Sequence, residues 1–174
     1  MKICKLFLFL AGFILSIPVY AEWNIASHNN TENNSNLKIA QIINEAGYAL
    51  EIYKDEKNVV RARFKLNEIL DKFADKSCPT YQVDQKELVN RSINDAKCIS
   101  GTTWAEFVLG YIVNNEIKST SLQNIMNGNS ILYRFILAYG GYGETAFSLA
   151  GSKKVIMSVL GGGISVIADK GNSN

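Results

Sequence analysis

Residues 131–168, ILYRFILAYGGYGETAFSLAGSKKVIMSVLGGGISVIA, decide the fold class of this chain. Ile131, Tyr133, Phe135 and Leu137 recur at every second position, the period of a strand with one buried face. Tyr139-Gly140-Gly141-Tyr142-Gly143 then supplies turn residues, because glycine adopts positive φ without a steric cost. Thr145, Phe147 and Leu149 resume the alternation, so the segment reads as an antiparallel hairpin. The period changes after Gly151: Val155, Ile156, Val159 and Leu160 fall on one side of a helix. Ser152 is expected to cap that helix and Gly161-Gly162-Gly163 to end it before a last strand over Ile164 to Ala168. A helix this short is marginal alone. It is expected to dock, with Ile156 and Leu160 buried and Lys153 and Lys154 exposed.

Upstream, the same period recurs. Leu37, Ile39, Gln41 and Ile43 alternate with Lys38, Ala40 and Ile42, and a second run spans Tyr48 to Tyr53. After the turn at Asp55-Glu56-Lys57-Asn58, Val60, Ala62, Phe64 and Leu66 take one face and Arg61, Arg63 and Lys65 the other. This is a β-meander with one wet face. Glu51, on the neighbouring strand, is the expected cross-strand partner of the basic stripe. Trp104 to Val113 is a further, largely apolar strand expected near the centre of a sheet. Leu66, Ile69, Leu70 and Phe73 have helical spacing with Asn67 as a cap, and Thr120 with Gln123 resembles a capping box for a helix stopped by Gly128. Trp23-Asn24-Ile25 reads as a short first strand, and the Asn-rich run HNNTENNSN after it as a turn or loop. The fold class expected is mainly β: an antiparallel β-sandwich or barrel-like fold in one domain, residues 22–174, with two or three short helices.

Residues 1–21 read as a secretory leader. Lys2 and Lys5 form a positive start, Leu6 to Val19 an apolar run broken by Pro18, and cleavage is expected after Ala21. The protein is therefore expected in the periplasm or outside the cell. Of 18 basic and 16 acidic residues, Lys2 and Lys5 leave with the leader, so the remainder is nearly neutral. Net charge offers no case for nucleic acid or an anionic membrane as partner. Two cysteines remain, Cys78 and Cys98. In an oxidising compartment an even pair reads as a disulfide. The loop it closes, about 20 residues, corresponds to roughly 3 kcal/mol of chain entropy.

The order of these features resembles the invasion-associated locus B family of exported bacterial proteins. The resemblance is carried by Trp23, Cys78 and Cys98, by Leu122 to Gly128 and Ile131 to Leu137, and by Phe147-Ser148-Leu149-Ala150-Gly151 before Val155 to Leu160. The chain departs from that family in having no further cysteines near its start, and in carrying Ser152-Lys153-Lys154 where the family tends to have an aromatic residue. The resemblance implies a compact β fold, export and a role in host interaction.

Catalytic signals are sparse. His28 is the only imidazole and sits in the Asn-rich stretch, so a Ser-His-Asp or Cys-His site has no framework. No spacing of ligands suggests a metal, and neither Gly-rich segment fits a phosphate loop. No cofactor is expected. The expected function is that of a non-enzymatic accessory or binding protein whose partner is a protein or another envelope component. The alternative is a glycan hydrolase working with carboxylates alone, for which Glu106 and Glu144 are the candidates. Three sets of residues are candidate ligand contacts. Arg61 and Arg63 form an ordered basic stripe. Tyr139 and Tyr142 offer an aromatic platform beside a Gly turn. Ser152, Lys153 and Lys154 stand at a helix N-terminus, where free N–H groups favour anions.

Overall fold

The computed structural model describes residues 21–30, 35–67, 71–89 and 98–169. The leader, the middle of the Leu66–Phe73 helical segment, most of the polar stretch before Cys98 and the final residues lie outside them. The architecture is mainly β and sandwich-like, and among the described residues the strands form no closed barrel. The larger layer is an eight-stranded sheet. Its meander runs through β1 (Asn24–Asn30), β2 (Ser35–Ile43), β3 (Ala49–Lys54) and β4 (Val59–Lys65), each antiparallel to the next. The smaller layer has three strands: β5 (Thr80–Val83), then β9 (Ser130–Ile136) beside it and β10 (Tyr142–Ser148) beyond.

The long strand β7 (Trp104–Val113) joins the parts of the large sheet, as its apolar sequence suggests. Its first half lies between β4 and the short β6 (Cys98–Ser100). Its end turns through Asn114 and Asn115, at φ 51° and 59°, into β8 (Glu116–Lys118). Two residues at positive φ match the right-handed twist of a hairpin, and asparagine tolerates that region. Between Val60 and Arg61 the register with β7 shifts, so Leu109 is bulged. Leu109 and Gly110 both turn inward, and a side chain at Gly110 would meet Ile117 at 2.9 Å. The last strand, β11 (Ser165–Ile167), pairs parallel with β8, the one parallel pair among the described strands. That geometry requires a crossover, which residues 119–164 provide, passing through the small sheet and ending in α2 (Ser152–Leu160) and the loop after it.

Alternation sends Ala40, Ile42, Leu50, Ile52, Val60, Ala62, Phe64, Ala105 and Phe107 to one side of the large sheet. The small sheet answers with Tyr81, Val83, Ile131, Tyr133, Phe135 and Phe147. Phe64 is the meeting point. It stacks on Tyr133 at 4.5 Å and packs against Phe73, Phe135 and Phe147. The two helices close the rest of this side. α1 (Thr120–Asn127) buries Leu122, Ile125 and Met126, and α2 buries Ile156, Val159 and Leu160. Lys153 and Lys154 point to solvent, so α2 docks as its pattern requires. The disulfide Cys78–Cys98 ties the approach to β5 to β6, linking the two layers.

Several local expectations shift. β1 extends through Asn30, so part of the Asn-rich run is strand: pairing with β2 down to Asn30↔Ser35 overrides the turn preference of asparagine. The cap of α1 is Ser119, one residue earlier than expected, whose side chain accepts from the Leu122 N–H at 3.1 Å. Gly151, not Ser152, caps α2, at φ 81° where a side chain would be strained. Of the segment starting at Asn67, Asp71 N–H donates to Asn67 O at 3.0 Å, and Phe73 forms a bridge with Leu137 of the small layer.

Candidate functional site

The alternate residues of the large sheet point away from the core and form its outward face. On β2 these are Ile39, Gln41 and Ile43; on β3, Glu51 and Tyr53; on β4, Arg61, Arg63 and Lys65; on β7, Trp104 and Glu106. An outward sheet face is ordinarily solvated, yet Glu51 is 4 % and Glu106 8 % exposed. The cover is their own neighbours. Arg63 stands directly opposite Glu106 in register and donates from Nε and Nη2 to Oε2 at 3.0 and 2.8 Å. Arg61 donates to the other oxygen, Oε1, at 3.0 Å, and the Tyr53 hydroxyl also donates to Oε2. Glu51 accepts from Gln41 at 3.0 Å and has Lys65 and Arg63 at 3.7 and 3.9 Å. The guanidinium of Arg63 lies 5.0 Å from the Tyr53 ring and 5.5 Å from that of Trp104.

These contacts fix the electrostatics. Burial pushes the Tyr53 phenol well up, and its hydrogen bond to Glu106 pushes it further, against the pull of Arg63. Asp55, in the turn beyond β3, is raised by burial but held below the usual carboxylate range. The N–H groups of Val59 and Lys57 and the Arg61 side chain donate to it and outweigh burial. Glu51, Asp55 and Glu106 oppose Arg61, Arg63 and Lys65, so among the described residues the network carries no net charge. Around it the face is apolar: Ile43 on β2 at one edge, Ile99 on β6 at the other, and Tyr111 and Val113 at the far end of β7, 49–62 % exposed. The last two line an open depression of about 500 Å³ together with Asn114, Glu116 and Lys118.

The three candidate contact sets lie apart. Arg61 and Arg63 belong to the network just described. Tyr139 and Tyr142 sit at the tip of the β9–β10 hairpin, each 86 % exposed, on either side of Gly140 and Gly141 at φ 86° and 90°. Ser152 is buried, and its hydroxyl donates to Ile125 O at 3.1 Å, so it faces α1 rather than an anion. Lys153 reaches Asn127 Oδ1 at 3.4 Å. The two carboxylates of the hydrolase alternative lie on opposite layers. Glu106 has both oxygens filled by donors, and Glu144 pairs with Arg134 at 2.7 Å on the outer side of the small sheet. His28 is exposed on β1. Among the described residues no group of acids, histidines and cysteines could hold a metal ion, and no helix is long and apolar enough to cross a membrane.

Tyr53 and Trp104 are the members of the face that the sequence reading passed over, together with Glu106 in its role as the central acceptor. Their signal was present in the alternation of β3 and β7, but the β4–β7 pairing that gathers them joins segments some 40 residues apart. Searches against family models, curated proteins and solved structures return no match for this chain.

Proposed function

We propose that this chain is an exported, non-enzymatic binding protein of the bacterial envelope, which holds a protein partner on the outward face of its large sheet. One observation carries the reading: that face combines Tyr53, Trp104, Arg61 and Arg63 in a closed, neutral network with exposed Ile43, Ile99, Tyr111 and Val113 around it. Tyrosine, tryptophan and arginine are the residues enriched at interface hot spots, and charges already paired cost less to cover than free ones. Export is supported by the leader pattern of residues 1–21, and a part in host interaction by the resemblance to the invasion-associated locus B family. The placement of the two named carboxylates favours this reading over the glycan hydrolase alternative. A pair of catalytic carboxylates must flank one bond, and Glu106 and Glu144 face away from each other on separate sheets.

The test is capture from bacterial envelope fractions with the chain from residue 22 onward, in parallel with Ile99→Glu and Tyr111→Ala. The reading requires a protein retained by the wild type and lost with both variants while their melting curves stay unchanged. Equal retention by all three would reject this face as the binding surface, and glycan cleavage abolished by Glu106→Gln or Glu144→Gln in the folded protein would restore the hydrolase.

A further inference from the structure

We propose that the protein held on this face is a second copy of the chain, so that two large sheets pack face to face about a two-fold axis. The inference rests on the binding-face reading above. It comes from the order of charges across the sheet. β3 presents Glu51, β4 presents Arg61, Arg63 and Lys65, and β7 presents Glu106, a sequence of acid, base and acid on adjacent strands. A face that docks on itself must be self-complementary. A two-fold axis running along the strands, above the gap between β4 and β7, meets that condition. It lays the basic row of one copy over Glu106 of the other, and the reverse. Arg63 and Glu106 are directly opposite in register, so they stay at the same height along the axis and meet their counterparts across it. The same operation brings β6 of one copy, with Ile99, over β3 of the other, with Glu51.

The order of charges favours this occupant, and the overlap area sets its strength. The network is neutral, so it selects neither an acidic nor a basic partner, whereas a like copy offers both signs in the complementary order. Because each charge is already paired within its own sheet, covering the face leaves none unpaired. The operation overlays β3, β4, β7 and β6 of the two copies and leaves β2 beyond the edge; with strands about 4.8 Å apart and about 3.4 Å per residue, the shared face spans roughly 20 Å by 20–25 Å. That is on the order of 450 Å² per copy, the size of a weak interface, so the dimer is expected to dissociate at tens of micromolar, on the order of 10–100 µM. The packing also covers Ile99, which is 59 % exposed in the single copy.

Sedimentation velocity of the disulfide-bonded chain from residue 22 onward, from about 1 to about 100 µM, tests this. The expected result is a monomer–dimer equilibrium within that range. Ile99→Glu sets a carboxylate against Glu51 of the other copy and should weaken the dimer at least about tenfold, Ile99→Lys less. Tyr142→Ala, on the other layer, should leave it unchanged. Each variant is checked for an unaltered melting curve. A wild type that stays monomeric at the highest concentration, or a dimer that Ile99→Glu leaves intact, overturns the proposal. If the wild type is monomeric yet still captures an envelope protein that Ile99→Glu loses, the binding face stands and self-association falls. If neither occurs, both fall.

Discussion

The two sheets each carry an arginine opposite a glutamate in register, and the two pairs live in different surroundings. Arg63 and Glu106 meet at 2.8 Å with 31 % and 10 % of their side chains exposed. Arg134 and Glu144 meet at 2.7 Å with 43 % and 56 % exposed. Distance does not separate them; desolvation does. In the first pair Arg63 lies over the Tyr53 and Trp104 rings and Arg61 completes the acceptor, while the second stands in water on the outside of the small layer. A solvated pair contributes little, because water and salt screen it and two long side chains must be ordered. A crowded pair becomes a fixed part of the surface: removing one partner strands the other, and covering the whole costs little more. The difference separates a structured face able to receive a partner from an ordinary solvated one.

Variants can break or sharpen this contrast. A core residue sets the upper scale. Leu160→Ala should cost about 2–5 kcal/mol in urea melts, since Leu160 is fully buried where α2 meets the sheet. Glu106→Gln should come next, at about 2–4 kcal/mol, because it removes the charge between Arg61 and Arg63 and turns an amide donor toward one of them, while Arg61 keeps Asp55 and Arg63 some contact with water. Two tyrosines then differ in sign. Tyr53→Phe removes a hydroxyl bonded to Glu106 and Arg63 and should cost about 1–3 kcal/mol. Tyr133→Phe removes a buried hydroxyl with no hydrogen-bond partner among the described residues and should leave stability unchanged or raised, read as an equal or higher denaturation midpoint. Arg134→Ala should change stability by less than about 1 kcal/mol. A loss at Arg134 as large as that at Glu106 would remove the contrast.

Much of the fold was legible because it is local. The hairpin of β9 and β10, the apolar side of α2, the meander from β2 to β4 and the Cys78–Cys98 bond all follow from period, turn residues and cysteine arithmetic. Glu51 was legible as a partner of the basic stripe because β3 and β4 are joined by a tight turn. The rest of the face was not. Glu106 reads in sequence as a lone acid in an apolar strand, and only the pairing of β7 with β4 shows that Arg61, Arg63 and Tyr53 converge on it. Short elements escaped for a related reason. β8 is three residues long, too few to display a period, and its existence depends on β7 on one side and β11 on the other. The cap of α1 was misplaced by one residue because Ser119 and Thr120 carry equivalent hydroxyls, and only geometry shows which one meets the Leu122 N–H.

In the free chain the Glu51 and Glu106 carboxylates on the large sheet are already desolvated and paired. Two double-mutant cycles in urea test this most directly, one with Arg63→Met and Glu106→Gln, the other with Arg134→Met and Glu144→Gln. The account predicts a coupling of about 1.5–3 kcal/mol for the first pair and below about 0.5 kcal/mol for the second. Couplings that agree within about 0.5 kcal/mol would contradict it.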